Sequence, residues 1–144
     1  MIYFDTSALV KRYVKEKGSE KVDSLLADAV SVATSRLTYP EILSAFNRRW
    51  KEGAFSEGWL NKMIRNFEAE WDKFIIIDFQ EEFFGSTKEL IRKHSLRGAD
   101  SVHLSSALWL KPLAKGDMTF IACDNNLLKA AKAERRNGMN PQEE

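Results

Sequence analysis

Short apolar runs alternate with helical patterns along this chain, and this alternation constrains the fold more than any other feature. The predicted strands are 2–5, 30–33, 74–79 and 119–123. The predicted helices are 7–15, 19–27, 40–52, 56–73, 81–94, 100–110 and 127–136, with Gly53 and Pro112 as helix-ending residues. Strands that alternate with helices are typical of parallel sheets. We therefore expect an α/β fold with a central parallel sheet of four to five strands and helices on both faces.

The whole chain has the character of one domain spanning residues 1–144. No apolar run approaches the ~20 residues that a membrane span needs, and no secretory signal is visible at the N-terminus. Cys123 is the only cysteine, which excludes an internal disulfide. These features predict a soluble, cytoplasmic protein that does not associate with membranes. Residues 139–144 are expected to form a frayed tail.

Four acidic residues occupy related positions in the predicted pattern. Asp5 ends one predicted strand and Asp124 directly follows another, whereas Glu41 and Asp100 lie near the starts of predicted helices. Ligands of open parallel sheets bind outside the carboxyl ends of the strands, so these acids would meet there if their strands are neighbours. Gathered carboxylates repel one another, which raises their pKa values above about 4 and calls for a cation. An all-oxygen ligand set favours Mg²⁺ or Mn²⁺.

Each acid also has a purely structural alternative. Asp5 and Asp124 can cap the helices that follow them. Thr38 and Glu41 have the spacing of a capping box, and Asp100 can complement a helix dipole. Capping accounts for each acid taken alone, but the shared position at one sheet edge favours a common site.

Three polar residues near the acids are candidates for supporting roles. Thr6 and Ser7 follow Asp5 and can support it, or a phosphate, through hydroxyl or backbone donors. His103 lies three residues after Asp100 on the same predicted helical face. It would orient Asp100 or contact a phosphate, or alternatively be satisfied inside the domain.

The net charge of +1 conceals basic clusters that become prominent once the four acids are assigned to a site. A positive surface around an acidic centre suits a polyanionic substrate. We expect Lys11, Arg12, Arg49 and Arg135 to contact a nucleic-acid backbone, with solvated helix faces as the alternative.

Large apolar residues recur every four positions in one predicted helix, at Trp59, Met63, Phe67 and Trp71, and three of them are aromatic. This spacing gives a helix one broad apolar face. The face either packs in the core or forms a protein–protein surface, with a homodimer or a partner helix as its occupant.

Other carboxylate, phosphate and metal chemistries lack their sequence patterns. There is no glycine-rich phosphate loop before a Lys-Ser/Thr pair, no Cys/His spacing of a zinc site and no Gly-x-Ser-x-Gly elbow.

Taken together, these segments resemble the PIN-domain nucleases, and within them the VapC-like toxins of type II toxin–antitoxin pairs. The resemblance covers residues 1–133. It is carried by Phe4-Asp5-Thr6-Ser7-Ala8-Leu9-Val10-Lys11, by Ser35 with Glu41, by Leu96-Arg97-Gly98-Ala99-Asp100-Ser101-Val102-His103-Leu104, and by Phe120-Ile121-Ala122-Cys123-Asp124 with Leu127-Leu128-Lys129-Ala130-Ala131.

The resemblance implies a PIN-like fold and an acidic pocket in which Asp5, Glu41, Asp100 and Asp124 hold one or two Mg²⁺ or Mn²⁺ ions. It also implies endoribonuclease activity on RNA and inhibition by a cognate antitoxin protein. Ala122 departs from the pattern, since the family often has a hydroxyl residue two positions before the last acid. The alternatives are a non-catalytic PIN-like module that binds RNA or protein, and a structure-selective DNase.

Overall fold

A parallel sheet forms the centre of the fold. The computed structural model describes residues 1–110 and 117–143, and within them the sheet has five strands in the order β3-β2-β1-β4-β5. The strands are β1 (Ile2–Phe4), β2 (Val32–Ser35), β3 (Ile75–Ile77), β4 (Thr119–Ile121) and β5 (Asn137–Met139). Every neighbouring pair is parallel, which confirms the α/β architecture predicted from the sequence.

Helices cover both faces of the sheet, as predicted. The α-helices of the described residues are α1 (Thr6–Leu9), α2 (Ser19–Asp28), α3 (Thr38–Lys51), α4 (Glu57–Trp71), α5 (Phe84–His94), α6 (Gly98–Leu110) and α7 (Asn125–Ala133). Short 3-10 segments, Val10–Arg12 and Glu81–Phe83, follow α1 and precede α5. The expected end of α6 at Pro112 lies outside the described residues.

Alternation along β1 separates the two halves of the core. Tyr3 packs with residues of α5, α6 and α7 on one face, and Phe4 packs with residues of α1 to α4 on the other. Both side chains are fully buried. Successive strand residues point to opposite faces, so a strand covered on both sides is apolar throughout.

The aromatic spacing of α4 is mainly a core pattern. Phe67 is fully buried and Met63 nearly so, while Trp71 packs edge-on against Phe67. Trp59, by contrast, remains 49% exposed. Phe67 therefore packs in the core, whereas Trp59 is the exposed one of the three aromatic residues in α4.

The C-terminal segment differs from the expected frayed tail. Met139 belongs to β5, which pairs with β4, and the Asn140 side chain donates hydrogen bonds to the Cys123 carbonyl and the Asn125 side chain. Asn140 is only 7% exposed. The backbone pairing of β5 depends on an edge offered by β4 rather than on an apolar pattern of its own, so local sequence does not reveal it.

No helix within residues 1–110 and 117–143 combines the length and apolar character needed to cross a bilayer.

Candidate active site

The strand order places two of the predicted acids side by side. The chain runs outward from β1 through β2 to β3, then returns to pair β4 with the other edge of β1. Strands β1 and β4 are in register at Phe4 and Ile121, and Asp5 and Asp124 follow their carboxyl ends. This reversal of strand order is where open α/β sheets bind ligands.

Asp5 is held rigidly at the end of β1. Its carboxylate accepts hydrogen bonds from the Ala8 backbone N–H at 3.1 Å and from the Ser7 hydroxyl at 2.8 and 2.9 Å. The same Ser7 hydroxyl accepts a bond from the Cys123 backbone N–H at 3.0 Å. Ser7 therefore fixes Asp5 against the end of β4, in agreement with the supporting role expected for it. Asp5 is only 3% exposed.

Glu41 is oriented by residues from two other elements. Its Oε1 atom accepts hydrogen bonds from the Thr6 hydroxyl at 2.7 Å and from His103 Nε2 at 2.9 Å. His103 Nδ1 lies 2.9 Å from the Tyr3 hydroxyl. Burial raises the pKa of Tyr3 well above its usual value, so its hydroxyl stays protonated beside Nδ1. His103 thus positions Glu41, rather than Asp100 as the helical spacing suggested.

A guanidinium group joins the other two acids. Arg97 Nε donates to Asp100 Oδ2 and Arg97 Nη2 donates to Asp124 Oδ2, both at 3.1 Å. The Arg97 side chain is 76% exposed, whereas that of Asp100 is 14% exposed. The Arg97 guanidinium therefore lies between two carboxylates, one from α6 and one from the loop after β4.

All four acids line one open cleft of about 590 Å³, together with Thr6, Ser7 and His103. Arg48, Arg49 and Arg97 line the same cleft. Among residues 1–110 and 117–143, no three His, Cys, Asp or Glu side chains converge tightly enough to coordinate one ion as they stand. The donor type suits a hard cation, and the Arg97 guanidinium occupies a cationic position between two of the acids.

Capping explains the acids only in part. Asp5 and Asp124 do cap α1 and α7, because their carboxylates accept bonds from Ala8 and Leu127 backbone N–H groups. The capping box is wrong for Glu41, since α3 begins after Leu37 without a side-chain cap. Asp100 bonds to Arg97. A carboxylate at a helix start can cap with one oxygen and face the cleft with the other.

Two of the four predicted nucleic-acid contacts are engaged in the protein itself. Lys11 is only 3% exposed and its ammonium group bonds to Glu16 at 2.8 Å. Arg12 pairs with Asp23 and Glu70. Neither is a free surface cation, because each long basic side chain folds back onto a nearby carboxylate.

The other two predicted contacts differ in their position. Arg49 lines the acidic cleft, although it also pairs with Glu16. Arg135 follows the C-terminal end of α7, the end remote from Asp124, and lies in a left-handed turn with φ 61°. Of the four, only Arg49 is brought to the acids.

Sequence reasoning missed the contacts of Arg97 with Asp100 and Asp124 and of Tyr3 with His103. Arg97 belongs to a motif already singled out for Asp100, and its place three residues before that acid is the signal that could have identified it. Arg48 belongs to the same basic cluster as Arg49 and, like it, lines the acidic cleft. Ala122 is fully buried in the core, so this departure from the family pattern is a packing position here.

The acids differ in their electrostatic environments. Burial raises the pKa of Asp5 to about 6, although His103, Ser7 and Ala8 partly offset it. Burial also raises the pKa of Glu41, but hydrogen bonds from His103 and Thr6 outweigh that effect and hold this pKa below its usual value. The expectation of raised values throughout is therefore wrong for Glu41, which has donors to its charged form.

The raised pKa of Asp5 predicts a stability change with pH in the metal-free protein. Between pH 4 and 6 the folded state binds a proton at Asp5 more tightly than the unfolded state, so the free energy of unfolding falls as the pH rises through this window. The full effect is roughly 3 kcal/mol. Asn cannot ionise, so Asp5→Asn should lack this fall and be at least as stable as wild type at pH 7 in EDTA.

Urea denaturation of both proteins from pH 3.5 to 7.5 measures this difference. The control is Asp72→Asn, which changes an exposed carboxylate and should follow the wild-type pH profile. A loss of 0.5–2 kcal/mol at pH 7 in Asp5→Asn, as for a simple helix cap, would contradict the prediction.

The fold and the acidic cleft together define a class of protein. The sequence matches the PIN domain family over residues 2–133. This chain belongs to that family, which confirms the resemblance seen in its sequence motifs.

Similar proteins carry the comparison further. The chain is 34% identical over 108 residues to Ribonuclease VapC45 of Mycobacterium tuberculosis, an alignment that covers 75% of each chain. Its fold matches the structure of FitAB bound to an IR36 DNA fragment with a TM-score of 0.74 and 18% identity, covering 100% of this chain and 97% of that one. A toxin–antitoxin complex from Klebsiella pneumoniae matches with a TM-score of 0.70 and 16% identity, and each chain is fully covered.

Proposed function

We propose that this protein is a divalent-metal-dependent endoribonuclease and the toxin of a toxin–antitoxin pair. The observation that carries the proposal is the convergence of Asp5, Glu41, Asp100 and Asp124 on one cleft at the reversal of strand order. The likeness to a relative named as a ribonuclease supports RNA as the substrate.

The proposed ligands of the metal are the four acids of the cleft. Their oxygen-only donor set suits Mg²⁺, with Mn²⁺ as an alternative, bound as one or two ions. When bound, such ions supply an activated water and offset the charge that develops on the phosphodiester. Ser7 holds Asp5, while Thr6 and His103 hold Glu41, so these three residues act by positioning the ligands.

The exposed arginines at the cleft are placed for contacts with the substrate more than for stabilising the fold. Arg48 is exposed at the cleft and makes no salt bridge within the described part of the chain. Among the residues that the structure describes, Arg97 forms its salt bridges with Asp100 and Asp124. Both guanidinium groups are placed where they can donate to phosphate oxygens.

An antitoxin protein is the proposed partner, supported by the match to a toxin–antitoxin complex. A homodimer is also part of the proposal and rests so far on the sequence alone. Because the proposed substrate is cellular RNA, we place the protein in the cytoplasm.

Two rival functions remain distinct from this proposal. A non-catalytic RNA- or protein-binding module would not need Glu41 to be fixed by both Thr6 and His103. A structure-selective DNase would use the same cleft and differ only in its substrate.

Incubation of the purified protein with labelled RNA and with single- and double-stranded DNA tests the proposal. We expect internal cleavage of RNA in Mg²⁺ or Mn²⁺ and none in EDTA, because carboxylates alone cannot activate water in this way. Cleavage of DNA alone would establish the DNase, and cleavage that persists in EDTA would contradict the metal-dependent mechanism.

A further inference from the structure

A second and larger cleft adjoins the acidic one. Its volume is about 1100 Å³, and it lies between the α2 region and α7, with β5 and the C-terminal segment at its base. Glu16 lines both clefts, and Asn125, which lines the larger one, directly follows Asp124. The two clefts therefore meet beside the candidate active site.

Lysines stand on both walls of this second cleft. Lys17 and Lys21 lie on the α2 side, and Lys129 and Lys132 lie on α7. All four are exposed, and none forms a salt bridge with any residue of the described segments. They contrast with Lys11, whose charge is already matched inside the protein.

The acids of the second cleft do not balance these lysines. Glu16 is bonded to both Lys11 and Arg49, which leaves Glu20 and Glu143 as the remaining acids among the described lining residues, against four lysines. Free ammonium groups that face one another across a cleft repel unless an anion lies between them. The local charge thus favours an anionic ligand.

Helix α7 sets the spacing between the lysines and the acids. Asp124 caps the helix, and Lys129 and Lys132 follow one turn apart on the same face. At the rise of an α-helix, their backbone positions lie roughly 7 and 12 Å along the axis from Asp124. A nucleic-acid strand with one phosphate at the acids would bring its next phosphates to these side chains.

We propose that this lysine-lined cleft binds the single-stranded RNA backbone on one side of the scissile phosphodiester. The proposal rests on the proposed function, because it assigns a strand path to the same substrate. Lysines contact phosphates without reading bases, so the cleft contributes affinity that is independent of sequence and sensitive to salt.

RNA binding without cleavage gives the direct test. Fluorescence anisotropy with a labelled 12-nucleotide RNA in EDTA, between 50 and 200 mM salt, yields the dissociation constant and its salt slope. Lys129→Gln/Lys132→Gln should raise the dissociation constant about 10-fold and reduce the slope by roughly 1.4, at about 0.7 per lost phosphate contact on a single strand. Lys17→Gln/Lys21→Gln, on the opposite wall, should act in the same direction.

Exposed lysines outside both clefts provide the matched control. Lys73 follows α4 and Lys88 lies in α5. Lys73→Gln/Lys88→Gln removes the same charge as either cleft variant and should leave the dissociation constant within about 2-fold of wild type. Equal weakening by the control would mean that only net charge matters, and weakening by one wall alone would mean that RNA does not lie between the walls. Either result overturns the proposal.

The outcome is separable from that of the cleavage assay. A protein that cleaves RNA but binds it without this lysine dependence contradicts the strand path and keeps the proposed function. A protein that binds RNA with this dependence but cleaves none contradicts the proposed function while the RNA cleft stands.

Discussion

Asp5→Asn, Glu41→Gln, Asp100→Asn and Asp124→Asn should each reduce metal-dependent RNA cleavage at least about 100-fold. Each substitution keeps the shape of the side chain but removes one negative charge from the proposed ligand set. A 100-fold loss corresponds to about 2.7 kcal/mol of transition-state stabilisation. Single-turnover cleavage at saturating Mg²⁺ measures the loss, and a urea titration of each variant shows that the fold is intact.

The sheet edge offers a matched control for these variants. Asp78 directly follows β3, at the same edge as Asp5 and Asp124, but it pairs with Arg36 and does not line the acidic cleft. Asp78→Asn should therefore retain wild-type activity. Full activity in any two of the four cleft variants would contradict the metal site proposed for these acids.

Phe67→Ala should lower the free energy of unfolding by about 3–5 kcal/mol. The Phe67 ring is fully buried, with ring centroids of Tyr13, Trp71 and Tyr39 at 5.3, 5.4 and 5.7 Å. Truncation to Ala removes a large buried surface and leaves a cavity that these aromatic neighbours cannot fill without moving. Urea denaturation at pH 7 gives the change directly.

Trp59, about two turns earlier on the same apolar face of α4, is the control for Phe67. Its side chain is 49% exposed and its ring lies 5.0 Å from the Lys62 ammonium group, so Trp59→Ala should change stability by no more than about 0.5 kcal/mol. Comparable destabilisation by both variants would mean that the whole aromatic face of α4 is core. A small effect for Phe67→Ala would contradict its central place in the packing.

Sequence alone could place the acids because their signal is local. Asp5 and Asp124 end apolar strands, and parallel strands bring their carboxyl ends to one edge. The neighbouring position of β1 and β4 is a tertiary fact, which sequence reasoning could state only as a condition for the acids to meet. The position of Ser7 beside Asp5 follows from the same local spacing.

What the sequence could not supply depends on contacts between distant residues. Lys11 lies in a basic cluster, yet its pairing with Glu16 appears only once the chain folds. The strand β5 carries no apolar pattern and exists because β4 offers it a partner edge. His103 bonds Glu41 across 62 residues, which no helical spacing could indicate.

The Arg97 guanidinium supplies a cation of the chain itself to two of the four proposed metal ligands, Asp100 and Asp124. A metal ion that enters between Asp100 and Asp124 must displace two hydrogen bonds that the chain itself supplies. Because Arg97 is largely exposed, that competition costs only on the order of 1 kcal/mol, about a five-fold loss of apparent metal affinity. The same contacts offset the repulsion between the Asp100 and Asp124 carboxylates before any ion binds. Asp100 and Asp124 can therefore lie close together in the metal-free protein, and Arg97 would leave them when an external cation binds.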